Sequence, residues 1–253
     1  MRWQEHDGVK WLVASMDGAR VAFSTRRGGV STGSFEGLNL GFLTDDEPAA
    51  VSENRTRLAR VLRLDPSSIP IARQVHGNRI IRHSGPQDPS PYAAPGSDLP
   101  EADGHIVAEP GLAPLVFVAD CLPVALRGPG GLAMLHCGWR PLAAGIIAAG
   151  AEVVGATEAV VGPGIGPCCY EVGPEVLEPF AALGDGIADG RMLDLAEVAR
   201  RLLREAGVER VQSAGLCTSC NPELFFSHRR DAGTTGRQAG LAWLTPTRFP
   251  GEA

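Results

Sequence analysis

"GLAPLVFVADCLPVALRGPGGLAMLHCGWR", residues 111–140, decides how the chain folds. The runs "LAPLVFVADCLPVAL" and "GLAMLH" are rich in Val and Leu and bounded by Gly and Pro, which reads as central β-strands buried on both faces. The first run is interrupted by Asp120 and Pro123, and it falls short of a membrane span. The second stops at His136, Cys137 and Gly138. A strand end of this kind hands polar side chains to a pocket.

Outward from this centre, "HIVA" (105–108) and "EAVVGPGIG" (158–166) supply further strands, and "PLAAGIIAAGAEVV" (141–154) reads as a small-residue helix packed over them. "WLVAS" and "RVAFST" are two strands ending in the glycine-rich turn "RRGGVSTGS". Val51, Leu58, Val61 and Leu62 recur at helical spacing behind Asp45 and Asp46 as caps, and "IPIARQVHGNRIIRH" (69–83) reads as a strand or hairpin arm. Residues 84–100 carry five prolines and are expected to form an irregular surface loop, where a domain boundary is possible but not required. "GPEVLEPFAAL" and "DLAEVARRLLREAGV" read as helices, the second capped by Asp194 with Glu197 and stopped by Gly207; "VQSAGL" and "AGLAWLT" read as closing strands. Strands and helices mixed without a βαβ rhythm point to α+β, or layered α/β with mixed sheets.

Composition narrows the function. The chain has 253 residues, 44% of them hydrophobic, and a net charge of −6, so it lacks the basic field that nonspecific nucleic-acid binding requires. Lys10 is the only lysine, which removes a Walker phosphate loop; "GPGIGPCC" places Pro167 where a dinucleotide fingerprint needs its third glycine. The N-terminus carries charges where a signal peptide needs an apolar core, so a cytoplasmic location is expected, with no membrane partner. The six cysteines are expected as free thiols or metal ligands rather than a disulfide framework. "CTSC" (217–220) has chelating spacing, but the adjacent Cys168 and Cys169 make a poor second pair, so thiols are expected there.

His76 in "QVHGN", Cys121 in "ADCLPV" and His136 in "LHCGW" each stand at or beside the end of an apolar run and are followed within two residues by a Gly or Pro. One Cys and two His make the ligand set of a catalytic zinc, which leaves a fourth position open. The same trio also suits a cysteine nucleophile with a histidine base, and spacing does not separate the two.

"FSTRRGGVSTGSFEGLNLGF", "QVHGN", "ADGHIV", "VADCLPVAL", "LHCGWR", "GPGIGPCCYEVGPEV" and "FFSHRRDAGTTGRQAGLAWL" follow in order from residue 23 to 244 and together resemble the YfiH family, the laccase-domain proteins. Cys137 departs from the family's usual H-A-G-W, and Pro141 replaces a common Gly. The resemblance implies a single α+β domain over residues 1–253, layered α/β/β/α with mixed β-sheets. It implies Zn2+ held by His76, Cys121 and His136, and phosphorolysis of adenosine, inosine and methylthioadenosine with adenosine deamination in the same site. The older name of polyphenol oxidase does not suit six scattered histidines with no H-x-H pair.

Within that chemistry the partners are the small molecules, purine nucleosides and phosphate, and a monomer is the expected state. Phosphate needs planar arginine forks, for which Arg26 is the first choice and Arg229 or Arg230 the second. Asp120 shuttles a proton or, the preferred role, orients a ligand histidine, and Asn39 binds substrate hydroxyls or caps a turn. Two readings compete: a Cys–His amidase editing a peptidoglycan precursor, with Cys121 forming a thioester, and a non-catalytic partner protein that keeps the zinc fold.

Overall fold

The computed structural model describes residues 1–94 and 98–245, so part of the proline-rich loop, 95–97, lies outside the described residues. Two sheets are stacked face to face. The first is antiparallel throughout, in the order β1 (Arg2–His6), β2 (Val9–Met16), β3 (Ala19–Ser24), β13 (Gln238–Leu244), β6 (Leu115–Val118). The second is mixed, in the order β12 (Arg210–Ser213), β9 (Glu158–Val161), β7 (Leu122–Gly128), β8 (Gly131–Cys137), β5 (Gly104–Val107), β4 (Ile80–His83). Its two outer pairs, β12 with β9 and β4 with β5, are parallel and its inner pairs antiparallel. A two-residue hairpin, β10 (Ala188–Asp189) and β11 (Met192–Leu193), stands apart.

Helices cover both outer faces, giving α/β/β/α. Helix α1 (Pro48–Leu62) lays Leu58 and Ala59 on Ala22, Leu115 and Leu241 of the first sheet. Helices α2 (Trp139–Ala143), α3 (Ile146–Val154), α4 (Pro174–Leu177) and α5 (Leu195–Glu205) cover the second, where Ile146, Ile147, Val198 and Leu203 share a core with Val124, Leu126 and Leu135. Between the sheets lie Phe23, Val116, Ala125, Met134 and Val160. All seven residues of β8 are buried, as expected of a strand sandwiched between layers. Among the described residues no helix is long and apolar enough to cross a membrane.

The run 112–126 forms two strands rather than one. β6 ends in the first sheet, the backbone turns at Asp120 with a φ of 88°, and β7 begins in the second sheet. Cys121 therefore stands where the chain passes from one sheet to the other.

Other expectations are corrected locally. Residues 141–154 break into α2 and α3 at Gly145, whose φ is 82°. Of residues 69–83 only β4 forms a strand, and Arg73 makes an isolated bridge to Glu101. The cap of α1 is Glu47, with Pro48 behind it, while Asp46 turns its Oδ2 to the Ser31 hydroxyl at 2.6 Å and the Asn39 amide at 2.8 Å. Asp194 caps α5 as read, accepting from the Glu197 N–H at 2.9 Å.

Candidate metal centre and cavity

His76, Cys121 and His136 converge although 60 positions separate the first from the last: one ligand atom from each lies within 4.8 Å of the other two. Cys121 Sγ is 4.0 Å from His76 Nε2, and the imidazole rings meet edge to face with centroids 4.9 Å apart. His136 is on β8, on the same side as Leu132 and Met134, which face the first sheet. Cys137, one residue on, points the opposite way into the helix-covered core and is fully buried. Strand alternation thus keeps the second thiol out of the centre.

The group that organises these donors is Asp103, immediately before β5. It is fully buried, and its Oδ1 accepts from His136 Nδ1 at 2.8 Å, which leaves Nε2 to face the thiol. The same carboxylate accepts the backbone N–H groups of His76 at 3.0 Å, Gly77 at 2.7 Å and Val75 at 3.2 Å. Those bonds hold the His76 backbone at a φ of 59°, a left-handed conformation that costs a side-chain-bearing residue energy unless its surroundings fix it.

Electrostatics couple the three. Burial opposes ionisation of Cys121, but His136 and then His76 outweigh it and bring the thiol down to about 6. Burial likewise opposes charging His136, yet the Cys121 thiolate and Asp103 push it up to about 9. Burial also works against the Asp103 carboxylate, and the bonds from His136 and Gly77 hold it below its ordinary value.

The donor set suits a metal ion. A thiolate and two imidazoles are zinc ligands, and the histidine Nδ1 is already committed to a carboxylate. Space is kept for them at Gly138: a Cβ there would fall 2.7 Å from Cys121 Sγ and 3.4 Å from His76 Cδ2. The trio opens into a cavity of about 490 Å³, a size that holds a small organic ligand.

The other expected site residues divide. Arg229 lines the cavity, stacked over Tyr170 at 5.2 Å, with one guanidinium nitrogen on the Glu171 carbonyl. Arg26 does not line it; its guanidinium donates to the Glu36 and Pro222 carbonyls and stacks on Phe226 at 4.7 Å. Arg230 is tied to Asp231 and to the Thr218 and Phe225 carbonyls. Asn39 is fully buried and organises a turn, accepting from the N–H groups of Gly41 and Arg237. Asp120 lines the cavity, but the histidine-orienting role preferred for it belongs to Asp103. Asp120 instead accepts the Thr218 hydroxyl at 2.6 Å and the Arg229 N–H at 2.7 Å, with both oxygens so engaged.

Sequence reasoning missed Asp103, and it missed Arg140 and Arg237, two more arginines that line the cavity. The "ADGHIV" block held the signal for Asp103: an acidic residue opening an otherwise apolar strand is buried only when its oxygens are satisfied. It also left Cys168, Cys169, Cys217 and Cys220 as separate thiols, whereas the fold gathers their sulfurs within 4.8 Å of one another.

Comparison with known proteins places the chain in a family and matches its fold. A family model described as multi-copper polyphenol oxidoreductase laccase matches residues 20–245. The chain is 39% identical over 240 residues to a Pseudomonas aeruginosa protein named purine nucleoside phosphorylase PA4543, covering 89% of this chain and 93% of that one. It is 38% identical over 240 residues to the Escherichia coli protein named purine nucleoside phosphorylase YfiH, covering 90% and 94%. The crystal structure of YlmD from Geobacillus stearothermophilus superposes with a TM-score of 0.87 at 31% identity, over 96% of this chain and 98% of that one.

Proposed function

Since this chain belongs to the YfiH, or laccase-domain, family, we propose that it is a purine nucleoside phosphorylase acting in the cytoplasm as one domain over residues 1–253. Adenosine, inosine and methylthioadenosine are its substrates, and adenosine is also deaminated in the same cavity. The observation that carries the reading is the convergence of His76, Cys121 and His136 on a cavity that Arg140, Arg229 and Arg237 also line. The relatives named for this activity lend it support.

Phosphorolysis requires phosphate held in line behind the ribose C1′ and stabilisation of the charge that develops on the departing purine. Arginine forks meet phosphate oxygens two at a time, and Arg229, Arg140 and Arg237 border the cavity to do so. Phe42, Trp139 and Tyr170 give aromatic walls against which a purine packs. Zinc held by His76, Cys121 and His136 would supply Lewis acidity beside the base. Asp103 holds the His136 ring and the His76 backbone in place, and Asp120, a lining residue, ties in the loops carrying Thr218 and Arg229.

The test is product identification from each nucleoside with and without inorganic phosphate. Free base and ribose 1-phosphate formed only with phosphate, and lost in Cys121→Ser and His136→Ala, support the proposal. Turnover independent of both side chains refutes it.

One observation favours the amidase as second reading: Cys121, His136 and Asp103 stand in the order nucleophile, base and orienting carboxylate, with the thiol held near 6. Under that reading chelation leaves or raises turnover of a peptidoglycan precursor, and an alkylating agent on Cys121 abolishes it.

A further inference from the structure

Cys168, Cys169, Cys217 and Cys220 meet outside the cavity's donor set. Cys168 and Cys169 follow the turn after β9, and Cys217 and Cys220 lie in the loop after β12. Cys220 Sγ is 3.3 Å from Cys168 Sγ and 3.4 Å from Cys169 Sγ, and all four sulfurs lie within 4.8 Å of one another. We propose that these four cysteines form a second metal site, a tetrathiolate holding one zinc ion, whose role is to join the two loops.

The spacing fits one ion. Tetrahedral zinc with bonds of about 2.3 Å sets its sulfurs about 3.8 Å apart, inside the range observed here. Multi-iron clusters hold their cysteines farther apart. A disulfide would single out one partner, but Cys220 is near equidistant from two, and all four cysteines are free. The adjacency of Cys168 and Cys169, which counts against chelation on paper, is resolved by the turn in which Cys169 N–H donates to the Gly166 carbonyl at 3.0 Å. Both sulfurs then reach the same partner.

The surroundings are those of a metal thiolate. The Gly166 N–H donates to Cys217 Sγ at 3.2 Å, an amide–sulfur bond that favours the ionised form. A Cβ at Gly166 would stand 3.2 Å from the Cys217 Cβ and 3.4 Å from Cys168 Sγ, so glycine leaves the sulfurs their room. Cys168 and Cys220 are exposed, which gives the ion a way in. Each thiol releases its proton to solvent as the ion binds.

The joined loops are part of the cavity wall. Ile165 and Tyr170 line the cavity from one, and Thr218 holds Asp120 from the other. Backbone bonds from Thr218 N to Gly164 O at 3.0 Å and from Gly164 N to Leu216 O at 3.3 Å already bring them together, and four ligands would lock that approach.

The experiment uses full-length, tag-free protein purified under reducing conditions without added metal. Its metal is counted by elemental analysis, and its cobalt(II)-substituted form is examined by absorption spectroscopy. The Cys121→Ser variant is expected to retain one zinc per chain and to give the thiolate-to-cobalt charge-transfer bands of a tetrahedral tetrathiolate. Cys220→Ser, a change at an exposed residue, is expected to lose those bands and one equivalent relative to the native chain. The wild-type cobalt spectrum serves as a readout that needs no variant to fold. A failure of the phosphorylase reading leaves these outcomes unchanged, because they are read in a protein that lacks Cys121. The proposal is overturned if Cys121→Ser binds neither metal, if its cobalt spectrum lacks tetrathiolate bands, or if thiol counting after air exposure shows these cysteines paired as disulfides that exclude metal.

Discussion

Asp103 and His136 are joined by a 2.8 Å bond in the interior, and the same carboxylate carries three consecutive backbone N–H groups around His76. One buried side chain therefore positions both of the histidines that meet Cys121. Asp103→Ala is expected to weaken metal binding by about 10–100-fold, as for lost partners of metal ligands elsewhere. The same change is expected to cost about 3 kcal/mol of stability, because a buried pair is broken from one side. Competition with a chromophoric chelator and urea unfolding measure the two losses separately.

Cys121 should be the most reactive thiol of the metal-free protein near neutrality. Its folded value, about 6, lies below the ordinary 9.0, so its stabilisation is complete above 9.0 and is lost as pH falls through about 6. His136 runs the other way. Raised from 6.5 to about 9, it contributes fully below 6.5 and loses its contribution as pH rises through about 9. Each shift owes much to the other's charge, so the metal-free protein should be most stable between these limits. Iodoacetamide labelling followed by mass spectrometry should give a midpoint near 6 for Cys121, displaced upward in His136→Ala, while Cys137, whose buried thiol is pushed up, stays unlabelled.

Gly138→Ala should weaken the centre without unfolding the chain. The added methyl would stand 2.7 Å from Cys121 Sγ, so the sulfur has to move. We expect metal affinity to fall by about 10-fold or more, with near-unchanged circular dichroism.

The arginines give a contrast. Arg229→Ala should raise the KM for phosphate about 10-fold or more, the loss of one charge-assisted fork being worth about 1.5–3 kcal/mol. Arg26→Ala should leave that KM alone and lower thermal stability instead, because its bonds go to the Glu36 and Pro222 carbonyls. Steady-state kinetics with phosphate as the varied substrate, beside a melting curve, separates the two.

Much of the architecture was legible because strand burial writes itself into apolar runs. β8 and its sandwiched position could be read from "GLAMLH", and Asp194 with Glu197 announced α5. The crossing at Asp120 could not, because the run is apolar on either side and a left-handed aspartate carries no marker of its own. The grouping of His76, Cys121 and His136 was legible from residue type and position at strand ends, and the structure brings the three together. Arg26 and Arg230 were misplaced for a physical reason: a long guanidinium side chain satisfies itself on nearby backbone carbonyls as readily as on a ligand, and only the fold shows which. The cysteine cluster hid behind its spacing, since the turn that makes Cys168 and Cys169 converge is a property of the loop rather than of the pair.

The passage of one apolar run between the two sheets ties reactivity to their alignment. His136 rides on one sheet, while Cys121 hangs from the seam between both. A slip of a single residue along the interface, about 3.3 Å, is comparable to the whole spread of the donors. Substitutions at Phe23 or Met134, which are packed between the sheets and offer no ligand atom of their own, are therefore expected to misalign the donors while the chain is still folded.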